Sequence, residues 1–120
     1  MASETTGRLV ILLEHAVTAA AVQSALRYAS TAAAMDLAVE VHAVGAAVTL
    51  LRRGAEADNS AWHAALAQAR ELGVELFACP RALAAHAMAA EDLLDGVAGI
   101  RGAASLLAAG MAPGGRFMVF

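Results

Sequence analysis

Arg8-Leu9-Val10-Ile11-Leu12-Leu13 is apolar after its arginine and has no helical period. Such a run predicts a central strand buried on both faces, as in a parallel sheet. Glu14-His15 closes it. Thr18 then stands where an N-cap belongs, ahead of an alanine-rich stretch over residues 19–35. Alanine is the best helix former, and Val22, Leu26 and Ala29 lie on one helical face. Asp36 ends that segment. Residues 37–44 alternate partially and predict a second strand, with Gly45 at its end. A short helix is expected over 46–53. Gly54-Ala55-Glu56-Ala57-Asp58-Asn59-Ser60 has loop composition, and Asp58, Asn59 or Ser60 is suited to cap a helix over 61–72. Trp62, Leu66 and Ala69 form the apolar stripe of that helix, and Gly73 is its stop signal.

Residues 74–78 predict a third strand running into Cys79. Pro80 suits a first helical position, because its missing N–H would be unpaired there anyway. The helix it opens is expected to reach about Ala89. Glu91-Asp92-Leu93-Leu94 reads as one turn, residues 97–100 as a weak fourth strand, and 103–109 as a helix ended by Gly110. Pro113-Gly114-Gly115 is a turn before a last strand over 116–120. Strand and helix alternate through five strands, which predicts one α/β domain over 1–120. Its sheet is mostly parallel, with helices on both faces joined by right-handed crossovers. Residues 1–7 are polar and expected to be flexible.

Composition narrows the function. The chain has 120 residues and carries 8 basic and 11 acidic side chains, a net charge of -3. All the basic residues are arginine, scattered apart from Arg52-Arg53, so nucleic-acid binding has no electrostatic footprint. The lack of lysine excludes a Schiff-base mechanism. No stretch reaches the roughly 18 uncharged apolar residues of a membrane helix. Residues 1–7 lack the basic start and apolar run of a signal peptide, so a reducing cytoplasm is the expected compartment. The chain is 60% hydrophobic, with mean hydropathy +0.62. That predicts burial of residual apolar faces by subunit contact. Phosphate loop, dinucleotide fingerprint, nucleophile elbow, Cys-x-x-Cys and zinc-ligand spacings are all missing, so no cofactor and no metal is expected.

What remains is Cys79, the single cysteine. It falls where a strand hands over to a helix, at the end of the sheet where open α/β folds bind ligands. Backbone N–H groups and the helix dipole favour a thiolate at such a junction. His15, at the end of the first strand, is the candidate base. Arg81, two residues on, is the candidate stabiliser of a thiolate or bound anion. His86 lies two helical turns from Cys79, too far for a direct pair. His42, within a strand, and His63, on a helix, read as structural or exposed.

The segment Gly73-Val74-Glu75-Leu76-Phe77-Ala78-Cys79 resembles the cysteine-ending strand of the DsrE/DsrF-like family with the YchN-type fold. Ala89-Ala90-Glu91-Asp92-Leu93-Leu94-Asp95-Gly96-Val97 is similar to its acidic turn before the fourth strand. Gly102-Ala103-Ala104-Ser105-Leu106-Leu107 and residues 115–120 resemble its next helix and closing strand. The resemblance covers 72–120 and implies a three-layer α/β/α sandwich that assembles as trimers or hexamers, often with related subunits. It also implies that Cys79 corresponds to a persulfide-carrying cysteine. Sulfur would pass to or from a TusA-like carrier, for tRNA thiolation or sulfur oxidation. The chain departs from the best-known carriers in its Pro80, which removes one N–H near the sulfur, and in having no second cysteine.

Three functions are therefore open on the sequence. The first is a sulfur-transfer protein working through Cys79. The second is a non-catalytic oligomeric scaffold or partner subunit with a buried, inert Cys79. The third is a small-ligand-binding α/β domain using the same crevice.

Overall fold

The structure is a computed structural model, and it describes residues 7–54 and 60–120. The N-terminal segment expected to be flexible lies outside the described residues, Gly7 excepted. So does most of the loop expected over 54–60, with its candidate caps Asp58 and Asn59.

Five strands form one sheet in the order β4-β3-β2-β1-β5. They are β1 (Arg8–Leu13), β2 (Ala38–Ala43), β3 (Glu75–Ala78), β4 (Gly99–Ile100) and β5 (Gly115–Val119). All four pairings are parallel. The helices are α1 (Ala19–Ala34), α2 (Ser60–Glu71), α3 (Pro80–Ala85) and α4 (Ala103–Met111). Successive crossovers β1-α1-β2 and β2-α2-β3 step in one direction, so α1 and α2 share a face and pack on each other. The last crossover steps back past β1 to the other edge. Its helix α4 therefore lies on the opposite face, against β1 and β5. The result is an α/β fold with helices on both sides of a five-stranded parallel sheet.

The face under α1 and α2 holds the main core. Ile11, Leu13, Val39, Val41, Ala43, Leu76 and Ala78 meet Val22, Leu26, Ala29, Trp62, Leu66 and Ala69 there. The predicted helical stripes are thus the buried ones. On the other face α4 sits close, because Gly110 lies against the Phe117 ring where a Cβ would collide with it. Gly110 is consequently inside α4 and does not end it.

Thr18 caps α1 as expected, its hydroxyl oxygen accepting from the Ala21 N–H at 3.1 Å. Three helices end in the same left-handed motif. Asp36, Gly73 and Ala87 take φ of 66°, 93° and 53°. The following N–H groups of Leu37, Val74 and Met88 donate back to Ala32, Ala69 and Leu83. This corrects the expected end of α3. The helix stops at Ala85 rather than near Ala89, because Ala87 adopts the conformation usually left to glycine. Met88 and Leu83, both buried, supply the apolar contact that accompanies such a stop. The segment expected as a short helix over 46–53 is a 3-10 helix over Gly45–Leu51. The weak fourth strand shrinks to Gly99–Ile100.

Candidate functional site

Cys79 lies one residue beyond β3, at the carboxyl end of the sheet, and is a free, half-buried thiol. Its backbone is pinned on both sides. The Cys79 N–H donates to the Ala43 carbonyl at 3.0 Å, and its own carbonyl accepts from Leu83 N–H at 3.0 Å. Cys79 is the N-cap of α3, and its side chain makes no capping hydrogen bond. That helix has six residues and begins with Pro80. The dipole expected to favour a thiolate is therefore that of barely two turns, with one N–H already lost to proline. The residue is half-buried and packs in part against the core.

The other two candidates stand apart from it. Arg81 is on the exposed side of α3. His15 is exposed beyond β1, and β2 separates β1 from β3. The backbone N–H groups of Glu14 and His15 both donate to the Phe120 carbonyl at 2.8 Å. These bonds tie the chain after β1 to Phe120 beyond β5, at the place where strand order reverses. Among the described residues, no hydrogen bond or ion pair joins His15 or Arg81 to Cys79. His86 is the half-buried C-cap of α3 rather than a member of it.

The structure adds a group that alternation on β2 concealed. Glu40 and His42 are 4% and 1% exposed. Glu40 Oε2 receives Arg8 Nη1 at 2.6 Å, and Glu40 Oε1 faces His42 Nε2 at 2.9 Å. Facing a carboxylate, that nitrogen is the donor. His42 Nδ1 has no partner among the described residues. Arg101 Nη1 lies 3.8 Å from Glu40 Oε2, too far for a hydrogen bond. Its guanidinium covers the Phe77 ring, 4.1 Å from the centroid, and Phe77 stacks on His42 at 5.1 Å. These residues occupy the half of the second face that α4 leaves free.

Arg101 belongs to this layer and also to the neighbourhood of Cys79. Ala78 and Ile100 are paired across β3 and β4, so Cys79 and Arg101 are the next residues on adjacent strands. The Arg101 N–H donates to the Ala78 carbonyl at 3.0 Å. Nothing in the local sequence of Arg101 sets it apart. The signal available was its place directly after the fourth strand.

A cavity of about 400 Å³ runs along the outer edge of β4, walled by Arg53, Leu93, Leu94, Asp95, Val97 and Ile100. Cys79 is not among its walls. Among the described residues, no cluster of three or more His, Cys, Asp or Glu could hold a metal ion. Nor is any helix there long and apolar enough to cross a membrane.

A family model described as DsrE/DsrF-like family matches residues 8–120. Three solved structures share the fold. The ychN protein from E. coli is 20% identical, with TM-score 0.76, over 96% of this chain and 100% of its own. Protein MTH1491 of unknown function from Methanobacterium thermoautotrophicum is 22% identical, with TM-score 0.74, over 95% and 99%. Protein BT1422 of unknown function from Bacteroides thetaiotaomicron is 14% identical, with TM-score 0.70, over 100% and 98%. No curated protein matches the chain.

Proposed function

Since this chain belongs to the DsrE/DsrF-like family, whose members suggest a part in sulfur relay, we propose that it carries sulfane sulfur as a persulfide on Cys79. The observation behind this reading is the placement of the sole cysteine. It sits at the carboxyl end of a parallel strand, on a pinned backbone, as a free cysteine that is half-buried as a residue. The Cys79 thiolate attacks the outer sulfur of a donor persulfide. A bond forms between Sγ and that sulfur, the donor S–S bond breaks, and the donor thiolate leaves with the electron pair. Delivery to an acceptor thiolate, such as that of a TusA-like carrier, is the same exchange in reverse, and neither step needs an oxidant or reductant. Arg81 and His15 are exposed and free to approach a docked partner. We take the working compartment to be the cytoplasm, where thiols stay reduced.

Intact mass after incubation with inorganic polysulfide tests the proposal. The wild-type protein gains the mass of whole sulfur atoms, reversed by a small thiol, and Cys79→Ser gains none. Equal addition to both proteins, or none to wild type, overturns it. The contact of Cys79 with the core favours a second reading, an inert scaffold subunit. In that case native Cys79 resists thiol reagents and reacts only after unfolding.

Assembly into trimers, hexamers or mixed oligomers with related subunits is part of the same proposal. Leu107, Met111 and Val119, on α4 and β5, are 50%, 75% and 59% exposed, an apolar surface suited to burial by another subunit. Light scattering that finds only monomer at micromolar concentration removes this part.

A further inference from the structure

We propose that Arg101 is the residue that recognises the sulfur donor at Cys79, and that it selects donors bearing negative charge. This rests on the reading of Cys79 as the sulfur carrier and names its substrate class.

Proximity comes first. Cys79 and Arg101 each follow the paired residues Ala78 and Ile100. Adjacent strands lie about 4.8 Å apart, so the two backbones are neighbours. A Cβ on Gly102 would lie 3.8 Å from the Pro80 ring, which brings the residues just after Arg101 and Cys79 together independently. The Cys79 N–H still pairs with β2 one residue beyond β3, and the Arg101 side chain reaches over the nearby Phe77 ring. Arg81, nearer in sequence, sits on the exposed side of a short helix.

Charge is the second argument. Glu40 is the carboxylate within reach of Arg101, and it is already satisfied by Arg8 at 2.6 Å and His42 at 2.9 Å. Arg101, at 3.8 Å, is a second cation on an anion that has its first. Glu75 shares the face and is exposed, and no ion pair joins it to Arg101 among the described residues. The Arg101 side chain is 44% exposed and rests on an aromatic ring. Its charge is therefore available to a ligand, and its position over Phe77 is a resting place from which it can swing toward the sulfur. With a polysulfide dianion as donor, Cys79 thiolate attacks a terminal sulfur. The Sγ–S bond forms, the neighbouring S–S bond breaks, and a shorter polysulfide leaves with the electron pair. Arg101 offsets the repulsion between thiolate and dianion on approach.

Charge-selective alkylation of Cys79 tests this without sulfur chemistry. Iodoacetate and iodoacetamide differ in charge and little in size, so their rate ratio reports the potential at the sulfur. Arg101→Gln lowers the ratio about threefold to tenfold at low salt, as expected for one charge several ångströms away. At about 1 M salt, with a Debye length near 3 Å, the difference between the two proteins disappears. Arg101→Lys, which keeps the charge, preserves the ratio, and Arg81→Gln leaves it nearly unchanged. An unaltered ratio in Arg101→Gln, or a larger fall in Arg81→Gln, overturns the inference while leaving sulfur loading of Cys79 intact. A native Cys79 inert to both reagents overturns this inference and the carrier reading together. A wild-type protein that takes up no sulfur, with a ratio that still depends on Arg101, overturns the carrier reading and donor recognition with it, and leaves only the placement of the charge beside Cys79.

Discussion

Along β2, Val39, Val41 and Ala43 turn toward α1 and α2, while Glu40 and His42 turn the other way. All five are buried. The first face is covered by two long amphipathic helices and is apolar throughout. On the second, α4 packs against β1 and β5, and Arg8, Phe77 and Arg101 lie around Glu40 and His42. One face holds the fold together by area removed from water, about 25 cal/mol per Å². The other encloses an ion cluster whose desolvation offsets most of its attraction. The proposed chemistry sits at the carboxyl end of the sheet, where Arg101 of this polar layer follows β4 beside Cys79. A stability core and a polar layer are thus carried by alternate residues of one strand.

Truncation on the helix-covered face is expected to cost most. Leu26 is 1% exposed and lies in the middle of the α1 stripe. Leu26→Ala removes its packing and leaves a void, at about 2–5 kcal/mol. Urea unfolding of the variant checks this, with an unchanged m-value if the native state is otherwise intact. A loss under about 1 kcal/mol would mean that the site collapses freely, and that the contrast between the faces is overstated.

The same contrast explains what was legible beforehand. The apolar face was written in local periodicities: Val22, Leu26 and Ala29, and then Trp62, Leu66 and Ala69, recur at helical spacing. The position of Cys79 between strand and helix was legible too, because a strand, a cysteine and a proline stand in a row. Glu40 and His42 were not. On an alternating strand they occupy the positions that usually face water. What buries them comes from elsewhere in the chain: Arg8 from β1, Phe77 from β3, and Arg101 from beyond β4. No local pattern carries such pairings. The premature end of α3 was hidden for another reason, since alanine at residue 87 gives no sign that it will adopt a left-handed conformation.

A smaller effect sharpens the comparison from the polar side. Glu40→Leu removes the carboxylate and strands its partners. His42, 1% exposed, then has no hydrogen-bond partner at either ring nitrogen among the described residues, and Arg8 loses its anion. A buried polar group without a partner costs about 1–3 kcal/mol, so a loss near 2 kcal/mol is expected. The double variant Glu40→Leu/His42→Leu removes the donor with the acceptor, and also the nitrogen that is unpaired in the wild type. Its stability is expected within about 1 kcal/mol of wild type, because replacing both partners of a buried hydrogen bond by apolar side chains can be nearly neutral or stabilising. A double-mutant cycle by urea denaturation reads the difference as a favourable coupling. Additive losses would mean that the cluster holds the fold together much as the apolar face does. Recovery in the double variant would mean that the fold does not need it, and that its buried charge is kept for what Arg101 does beside Cys79.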